Sequence, residues 1–216
     1  MKAPALSAGR RPSGSAETTR FCAVAAAVDP AALGALLDER RRQLARRPDV
    51  EDVFARAAEV ARVYARWFEA QGHTCPLPGQ IAAARSKGLP SIMPTIDTLL
   101  YAELTTGVLM GAQDADAIDG ELRFDWAREG ESFTGFRSTV TCVRDEPVVR
   151  DATAIVASVL QGPDRRTSVT KNSRHLVFTV YDAPGLSVEA FDAGVGVLRE
   201  LLTAAGSEPE VLEVLL

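Results

Sequence analysis

The chain has 216 residues, 46% of them hydrophobic, and a formal net charge of −5. This length and composition allow one domain with a sizeable core, or two interlocked lobes. A run of about 18 apolar residues is absent from the sequence, so we expect no contact with a membrane. The N-terminal residues lack a continuous apolar segment, which argues against a secretory signal and predicts a cytoplasmic protein.

Charge is distributed unevenly along the chain. Residues 1–90 carry 14 Lys and Arg against 9 Asp and Glu, whereas residues 91–216 carry 10 against 20. The basic part is able to contact phosphate groups, but the same charges suit a solvated helical face. The overall acidity predicts that any binding of RNA is weak, and DNA is not an expected partner.

The first part of the chain is predicted to be mainly helical. Residues 1–19 have no periodic apolar face and are expected to form a disordered tail. The apolar run from Phe21 to Val28 suits a buried strand. Asp29 and Pro30 then supply an N-cap and a first-turn proline for a helix that Pro48 ends.

Two further helices are predicted before residue 90. Asp49 and Asp52 resemble a capping pair for the first of them, which Gly72 ends. The second runs from Pro78 to Gly88, with cations near its end that suit the helix dipole.

The stretch from Pro90 to Gly120 is the segment around which the rest is organised. Its two prolines hold an extended lead-in, because a residue before proline avoids the α region. Thr95 is predicted to cap a helix. Gly107 and Gly111 are expected to end that helix and to open a turn. Three carboxylates then follow at short spacing: Asp114, Asp116 and Asp119.

The rest of the chain is predicted to be rich in strands. Leu122 to Trp126 alternates apolar and charged side chains, and Leu176 to Tyr181 forms a second clear strand. Ser187 caps a last helix, which Gly206 ends. These elements predict an α+β fold in which layered β-sheets pack against helices.

The predicted organisation is a single domain at residues 20–206. Its helical part covers 20–89 and its strand-rich part covers 90–206. Residues 207–216 are predicted to be a C-terminal tail, which either docks on a neighbour or forms a frayed short helix.

The residue types that commonly carry catalysis are sparse. His73 and His175 have no flanking Ser or Cys, so structural histidines are favoured over a catalytic base. The three cysteines are widely spaced and form no C-x-x-C pair, which favours reduced structural thiols. We expect no metal and no cofactor.

Several short motifs occur in an order that resembles a known family. Pro-x-Ile-x-Pro-x-Ile-Asp begins at Pro90, and Asp-x-Asp-x-Ile-x-Gly begins at Asp114. This order resembles the B3/B4 domain, the editing and tRNA-associated unit of the phenylalanyl-tRNA synthetase beta subunit, of which freestanding forms also exist. The resemblance covers roughly residues 60–205 and continues through Arg123, 130–133, 146–151 and 166–170.

The resemblance implies a hydrolytic site without a catalytic triad. The editing unit hydrolyses the ester of a wrong amino acid at the terminal adenosine of tRNA. An aminoacyl ester is already activated, so a positioned water and a few hydrogen-bond donors are sufficient. Selectivity would come from the shape of a pocket.

The resemblance also implies roles for individual residues, although it identifies no catalytic one. The expected substrate-binding residues are Leu99, Leu100, Gly111, Asp114, Glu131, Thr167, Thr170 and Thr179. The expected structural residues are Asp97, Gly130, Asp151 and Arg166. Asp97 and Asp151 are expected to bind loop amides, and Gly111 is expected to let the backbone approach a ligand closely.

Some positions depart from the family pattern. Leu100 replaces a polar residue, Gly111 replaces a histidine found in some bacterial synthetases, and Thr179 lies near the position of a glutamate. A tryptophan-arginine segment is also missing, with Val159 and Leu160 nearby. These changes imply a more apolar pocket that no longer recognises a tyrosine hydroxyl.

Three hypotheses therefore remain open. The first is a trans-editing hydrolase that acts on a mischarged aminoacyl-tRNA and uses the basic helical region as a weak grip on tRNA. The second is a non-catalytic module that binds an amino acid, an RNA end or a protein. The third is an accessory of the phenylalanyl-tRNA synthetase. A ligase is not expected, since nothing resembles an aminoacylation core.

Overall fold

The computed structural model describes residues 4–9 and 20–215. These residues form the predicted α+β fold. Its helices are α1 (Pro30–Arg46), α2 (Val50–Ala70), α3 (Leu77–Lys87), α4 (Pro94–Thr106) and α5 (Val188–Ala204). None of the helices in these described ranges is long and apolar enough to cross a bilayer.

The strands form three sheets. They are β1 (Leu6–Ala8), β2 (Arg20–Ala27), β3 (Met110–Asp114), β4 (Leu122–Trp126), β5 (Ser132–Thr134), β6 (Thr139–Thr141), β7 (Pro147–Arg150), β8 (Ile155–Ser158), β9 (Gly162–Pro163), β10 (His175–Tyr181) and β11 (Glu210–Leu215). The order of the five-stranded sheet is β1-β4-β7-β8-β9, and that of the antiparallel four-stranded sheet is β11-β2-β10-β3. The strands β5 and β6 form a separate hairpin.

The inner strands of the four-stranded sheet, β2 and β10, are buried on both faces and separate two hydrophobic cores. On β10, Leu176, Phe178 and Val180 face a core that α5 covers. Val177 and Tyr181 face the other core, to which α2, α3 and the five-stranded sheet contribute. Side chains of neighbouring residues in a strand point to opposite faces, so β10 serves both cores at once.

Local signals predicted two of the helix starts correctly. The Asp29 side chain accepts a hydrogen bond from the amide of Ala31 at the start of α1, and Ser187 accepts one from Ala190 at the start of α5. A carboxylate or hydroxyl in this position satisfies an amide that has no partner inside the helix.

The two other predicted caps are wrong. Thr95 lies inside α4, and the carboxylate of Asp97 instead accepts the amide of Ile92 (2.8 Å) and that of Met93 (3.3 Å) ahead of the helix. Asp49 precedes α2, but its side chain makes no cap bond and binds the guanidinium of Arg47. The carboxylate of Asp97 thus accepts backbone amides, and that of Asp49 accepts the charged guanidinium group of Arg47.

The prediction of a disordered N-terminal tail is wrong for part of its range. Leu6–Ala8 forms β1, which pairs in parallel with β4, Leu6 lying opposite Leu122. Leu6 also packs on the core. Residues 1–3 and 10–19 of the predicted tail lie outside the described residues.

Of the two alternatives for the C-terminal residues, the frayed helix is wrong. Residues 210–215 form neither a frayed helix nor a free tail, because Glu210–Leu215 is a strand paired with β2. Its side chains alternate, with Leu212 and Val214 packed against the core. In a strand this alternation places the apolar side chains on one face, whereas in a helix it would distribute them around the axis.

The two glycines of the central segment have different roles. Gly107 ends α4 in the left-handed conformation, with φ 76°, and its amide donates to the carbonyl of Glu103. Gly111 was predicted to open a turn, but it lies inside β3. The helix is therefore followed directly by a strand, and the segment between them is only three residues long.

Candidate binding cleft

A cleft of about 580 Å³ opens beside the four-stranded sheet. Helix α4 forms one wall, and the segment from Ala157 to Pro163, at the ends of β8 and β9, forms another. Strand β3 forms its floor, and the tip of the β5–β6 hairpin reaches its open side. Most of the wall is apolar, with contributions from Phe68, Ile96 and Leu99. The size suits one small molecule or one end of a larger one.

Gln113 is an unusual residue in the floor of this cleft. It belongs to β3, and its side chain is fully buried beside the Tyr181 hydroxyl. Within residues 4–9 and 20–215, neither its amide oxygen nor its amide nitrogen has a well-oriented hydrogen-bond partner. Leaving a buried polar group unpaired costs about 1–3 kcal/mol. Such a group in a cleft is a ready donor and acceptor for a ligand.

Glu103 is a second buried polar residue that lines the cleft. It lies in the last turns of α4 and is only 5% exposed. Its Oε1 accepts the amide of Met110 at 2.8 Å. Burial raises the pKa of Glu103 to about 8, although the hydrogen bond from Met110 acts in the opposite direction. The carboxyl group is therefore mostly protonated at neutral pH and offers both a donor and an acceptor.

Gly111 is required by its neighbours on β10. The Thr179 hydroxyl donates to the Tyr181 hydroxyl at 2.7 Å, and a Cβ on Gly111 would lie 2.7 Å from both oxygens. No side chain fits in that space. The backbone of Gly111 therefore approaches these two hydroxyl groups closely, whereas a close approach to a ligand was predicted. Burial raises the pKa of Tyr181 to about 12, against the lowering effect of the Thr179 hydrogen bond, and keeps its hydroxyl neutral.

The structure brings only some of the predicted substrate-binding residues together. Leu99 and Gly111 line the cleft, and Thr179 lies opposite Gly111 on the neighbouring strand β10. Leu100 instead packs against the core that contains α2. Glu131 pairs with Arg150, with 2.9 Å between its Oε1 and the guanidinium nitrogen.

The other three residues of that set form a polar network outside the lining. Thr167 donates through both its amide and its hydroxyl to the Asp164 carboxylate. The amide of Asp114 donates to the Thr167 carbonyl at 2.7 Å. Ser173 connects Asp114 to Thr170, donating to the first and accepting the amide of the second. The network fixes the chain beside the end of β3.

The four predicted structural residues lie in turns and ion pairs. Asp97 pairs with Arg41 at 2.7 Å, in addition to its two amide contacts. Gly130 adopts φ 75°, which favours glycine. Burial alone would raise the pKa of Asp151, but hydrogen bonds from the amide of Asp119 and from the Arg166 guanidinium outweigh it and lower the pKa to about 2.

Sequence reasoning did not identify the polar residues of the cleft. Glu103 interrupts the apolar part of α4, and Gln113 stands two residues after Gly111 in a strand whose other residues are mostly small and apolar. Both positions carried a signal, which is a polar residue inside an otherwise buried element. Tyr181 and Phe136 also line the cleft, but no local pattern marks them.

The fold and the cleft define an α+β domain with a recess between one helix, one sheet and a hairpin. The family model of the B3/4 domain matches residues 59–190. The match covers more than half of the chain, and the protein belongs to the B3/4 domain family. The resemblance that the sequence motifs predicted is thereby confirmed.

One solved structure is similar to part of this chain. It is an N-terminal fragment of the phenylalanyl-tRNA synthetase beta-subunit from Pyrococcus horikoshii, 14% identical in sequence, with a TM-score of 0.46. The similarity covers 59% of this chain and 47% of that fragment, so the chain spans about half the length of the fragment. No curated protein matches the sequence.

Proposed function

We propose that the cleft binds the aminoacyl end of a mischarged aminoacyl-tRNA and hydrolyses its ester. The observation that carries this proposal is the Gln113 amide, which is buried in the floor of a cleft of about 580 Å³ without a well-oriented hydrogen-bond partner among the described residues. Membership of the B3/4 domain family supports the choice of ligand. In this proposal Gln113 and the neutral carboxyl of Glu103 bind polar groups of the amino acid, while the apolar walls hold its stem.

The hydrolysis needs no nucleophilic side chain. Water adds to the ester carbonyl, the bond to the terminal ribose oxygen breaks, and that oxygen leaves with a proton as a free hydroxyl group. An activated ester requires mainly that the carbonyl and the water are held in position. The cleft would provide this by fixing the amino acid on one side of the carbonyl.

The test is a deacylation panel with a matched pair of variants. The substrates are tRNAs that carry tyrosine, meta-tyrosine, serine, threonine, alanine or phenylalanine, each correctly or incorrectly charged. We expect selective loss of one mischarged species over background, and a decrease of roughly 5- to 150-fold in kcat/KM for Gln113→Met, since one lost hydrogen bond in a buried site is worth ~1–3 kcal/mol. Uniform background rates for every substrate would contradict hydrolysis.

The matched control is Gln43→Met, which removes an exposed amide from α1. It should leave the deacylation rate unchanged. Gln113→Met should fold at least as well as the wild type, because it replaces an unpaired buried amide with a thioether of similar length. An inactive but fully stable Gln113→Met variant would therefore separate a binding role from a structural one.

A second candidate function is binding without hydrolysis. Two serines line the cleft, but the Ser158 hydroxyl donates to Glu146 and the Ser168 hydroxyl donates to the Asp164 carbonyl. Both hydroxyl groups are therefore occupied by protein partners. Calorimetric binding of a free amino acid, combined with no deacylation of any tRNA in the panel, would favour this binding module.

A further inference from the structure

The tip of the β5–β6 hairpin presents an aromatic side chain at the open side of the cleft. Phe136 is 64% exposed and at the same time lines the cleft. A single exposed aromatic residue is ordinary on a protein surface. Its position is informative here because the adjoining cleft walls are apolar and the ring extends them outwards.

The hairpin is held firmly beneath this ring. Phe133 is 6% exposed and packs in a small core with Cys142, Val148 and Ile155. The amide of Gly135 donates to the Ser138 carbonyl at 3.0 Å, which closes the turn around the tip. The hairpin therefore fixes the backbone position of Phe136. A flat ligand would bind there without first ordering this turn.

Two exposed arginines accompany Phe136. Arg137 follows it in the turn, and the amide of Arg165 donates to the Thr134 carbonyl at 2.8 Å, which places Arg165 beside the same hairpin. Within the part of the chain that the structure describes, neither guanidinium has a hydrogen-bond or ion-pair partner. Both charges are free to meet an anion beside the hairpin.

Most arginines of α1 and its end differ in this respect. The basic N-terminal region was the predicted grip for tRNA, but four of its arginines already pair with carboxylates. The pairs are Arg40–Glu200, Arg41–Asp97, Arg42–Glu39 and Arg47–Asp49. A phosphate would have to displace those partners, whereas it would displace none at the hairpin.

We propose that Phe136, Arg137 and Arg165 bind the terminal nucleotides of the RNA outside the cleft, the ring stacking on the last base and the guanidinium groups contacting the phosphates. This inference rests on the proposed function, because the cleft must hold the amino acid that the last nucleotide carries. Aromatic rings stack on any base, and arginines bind the backbone without regard to sequence. The hairpin would thus position the ester, and the cleft would select the amino acid.

The experiment measures two ligands that divide the substrate. One is an uncharged oligoribonucleotide ending in CCA, and the other is a panel of amino acid amides that lack the nucleotide. Phe136→Ala should weaken binding of the oligoribonucleotide about tenfold, and Phe136→Trp should retain it. Phe136→Ala should weaken the binding of an amino acid amide much less than that of the oligoribonucleotide, because the mostly exposed ring contributes only the outer edge of the cleft. Arg137→Gln and Arg165→Gln should each make oligoribonucleotide binding less dependent on salt.

The matched control is Val188→Ala, which truncates another large exposed apolar side chain at the first turn of α5. It should change neither affinity. Equal oligoribonucleotide affinity in wild type and Phe136→Ala would overturn the inference, and so would a wild type that binds no oligoribonucleotide. Failure of every amino acid amide to bind, with the Phe136 effect intact, would instead contradict the proposed role of the cleft.

Discussion

At the scale of single residues, Glu103 couples the cleft to the stability of the fold. Burial raises its pKa from 4.5 to about 8, so the folded protein keeps a proton that the unfolded chain releases. The favourable contribution of this proton is fully present below pH 4.5 and is lost as the pH rises towards 8. Each pH unit inside that window changes the free energy of unfolding by at most about 1.4 kcal/mol.

Glu103→Gln should therefore be more stable than the wild type at high pH only. Glutamine resembles the protonated carboxyl group, and its oxygen is able to accept the Met110 amide in the same way. Between about pH 5.5 and 7.5, the difference in Tm between variant and wild type should grow by roughly 5 °C. Thermal unfolding followed by circular dichroism measures it. The control is Glu69→Gln, at an exposed position on α2, and a difference that is independent of pH would contradict the role of Glu103.

The same residues show which parts of the site a sequence can reveal. Leu99 and Gly111 were assigned to the pocket from sequence, and both line the cleft. Glu103 and Gln113 were not assigned, because a carboxylate or an amide is normally expected at the surface or beside a partner. Only the packing of α4 against β3 reveals that both are buried.

At the scale of elements, Asp151 holds together three stretches of the chain, two through their backbone and one through a side chain. Its carboxylate accepts the amides of Asp119, Thr153 and Ala154 and a guanidinium nitrogen of Arg166. A buried carboxylate satisfied in this way has a low pKa, about 2. Its stabilising effect is present above the unfolded value of 3.8 and is lost as the pH falls towards 2.

Asp151→Asn should destabilise the protein at neutral pH by about 3 kcal/mol. Asparagine replaces one acceptor oxygen with a donor NH₂ group, which would face amide or guanidinium donors. Urea denaturation at neutral pH measures the change. Asp119→Asn is the matched control in a loop that the Asp151 carboxylate contacts, because Asp119 takes part through its backbone and its side chain is exposed. Equal midpoints for the two variants would rule out this role of the carboxylate.

The helices were easier to predict from sequence than the terminal strands. Asp29 with Pro30, and Ser187, are local signals that act within one turn, and they predicted two helix starts correctly. The strand pairs are not local, since β2 pairs with β11 at the other end of the chain. Short apolar segments such as Leu6–Ala8 become strands only because a partner edge is available.

At the scale of the whole molecule, strands from the N- and C-terminal parts of the chain pair with each other in the four-stranded sheet. Strand β11 covers the edge of β2, and Arg20 on β2 pairs with Glu213 at 2.6 Å and with Asp192 at 2.8 Å. β2 lies between the two hydrophobic cores and is buried over most of its length. Without β11 it would become an edge strand with unpaired amides and carbonyls.

Removal of residues 208–216 should therefore destabilise the fold and promote aggregation. The deletion exposes the edge of β2 and removes the partly buried Leu212 and Val214 from the core. We expect a loss on the order of 3 kcal/mol, or a decrease in Tm of about 10 °C, together with light scattering that increases with protein concentration. Leu215→Ser, at a side chain that is 68% exposed, is the control and should have little effect. A truncated protein that unfolds at the wild-type temperature and stays monomeric would mean that β11 contributes little to the sheet, and that the two cores are stable without it.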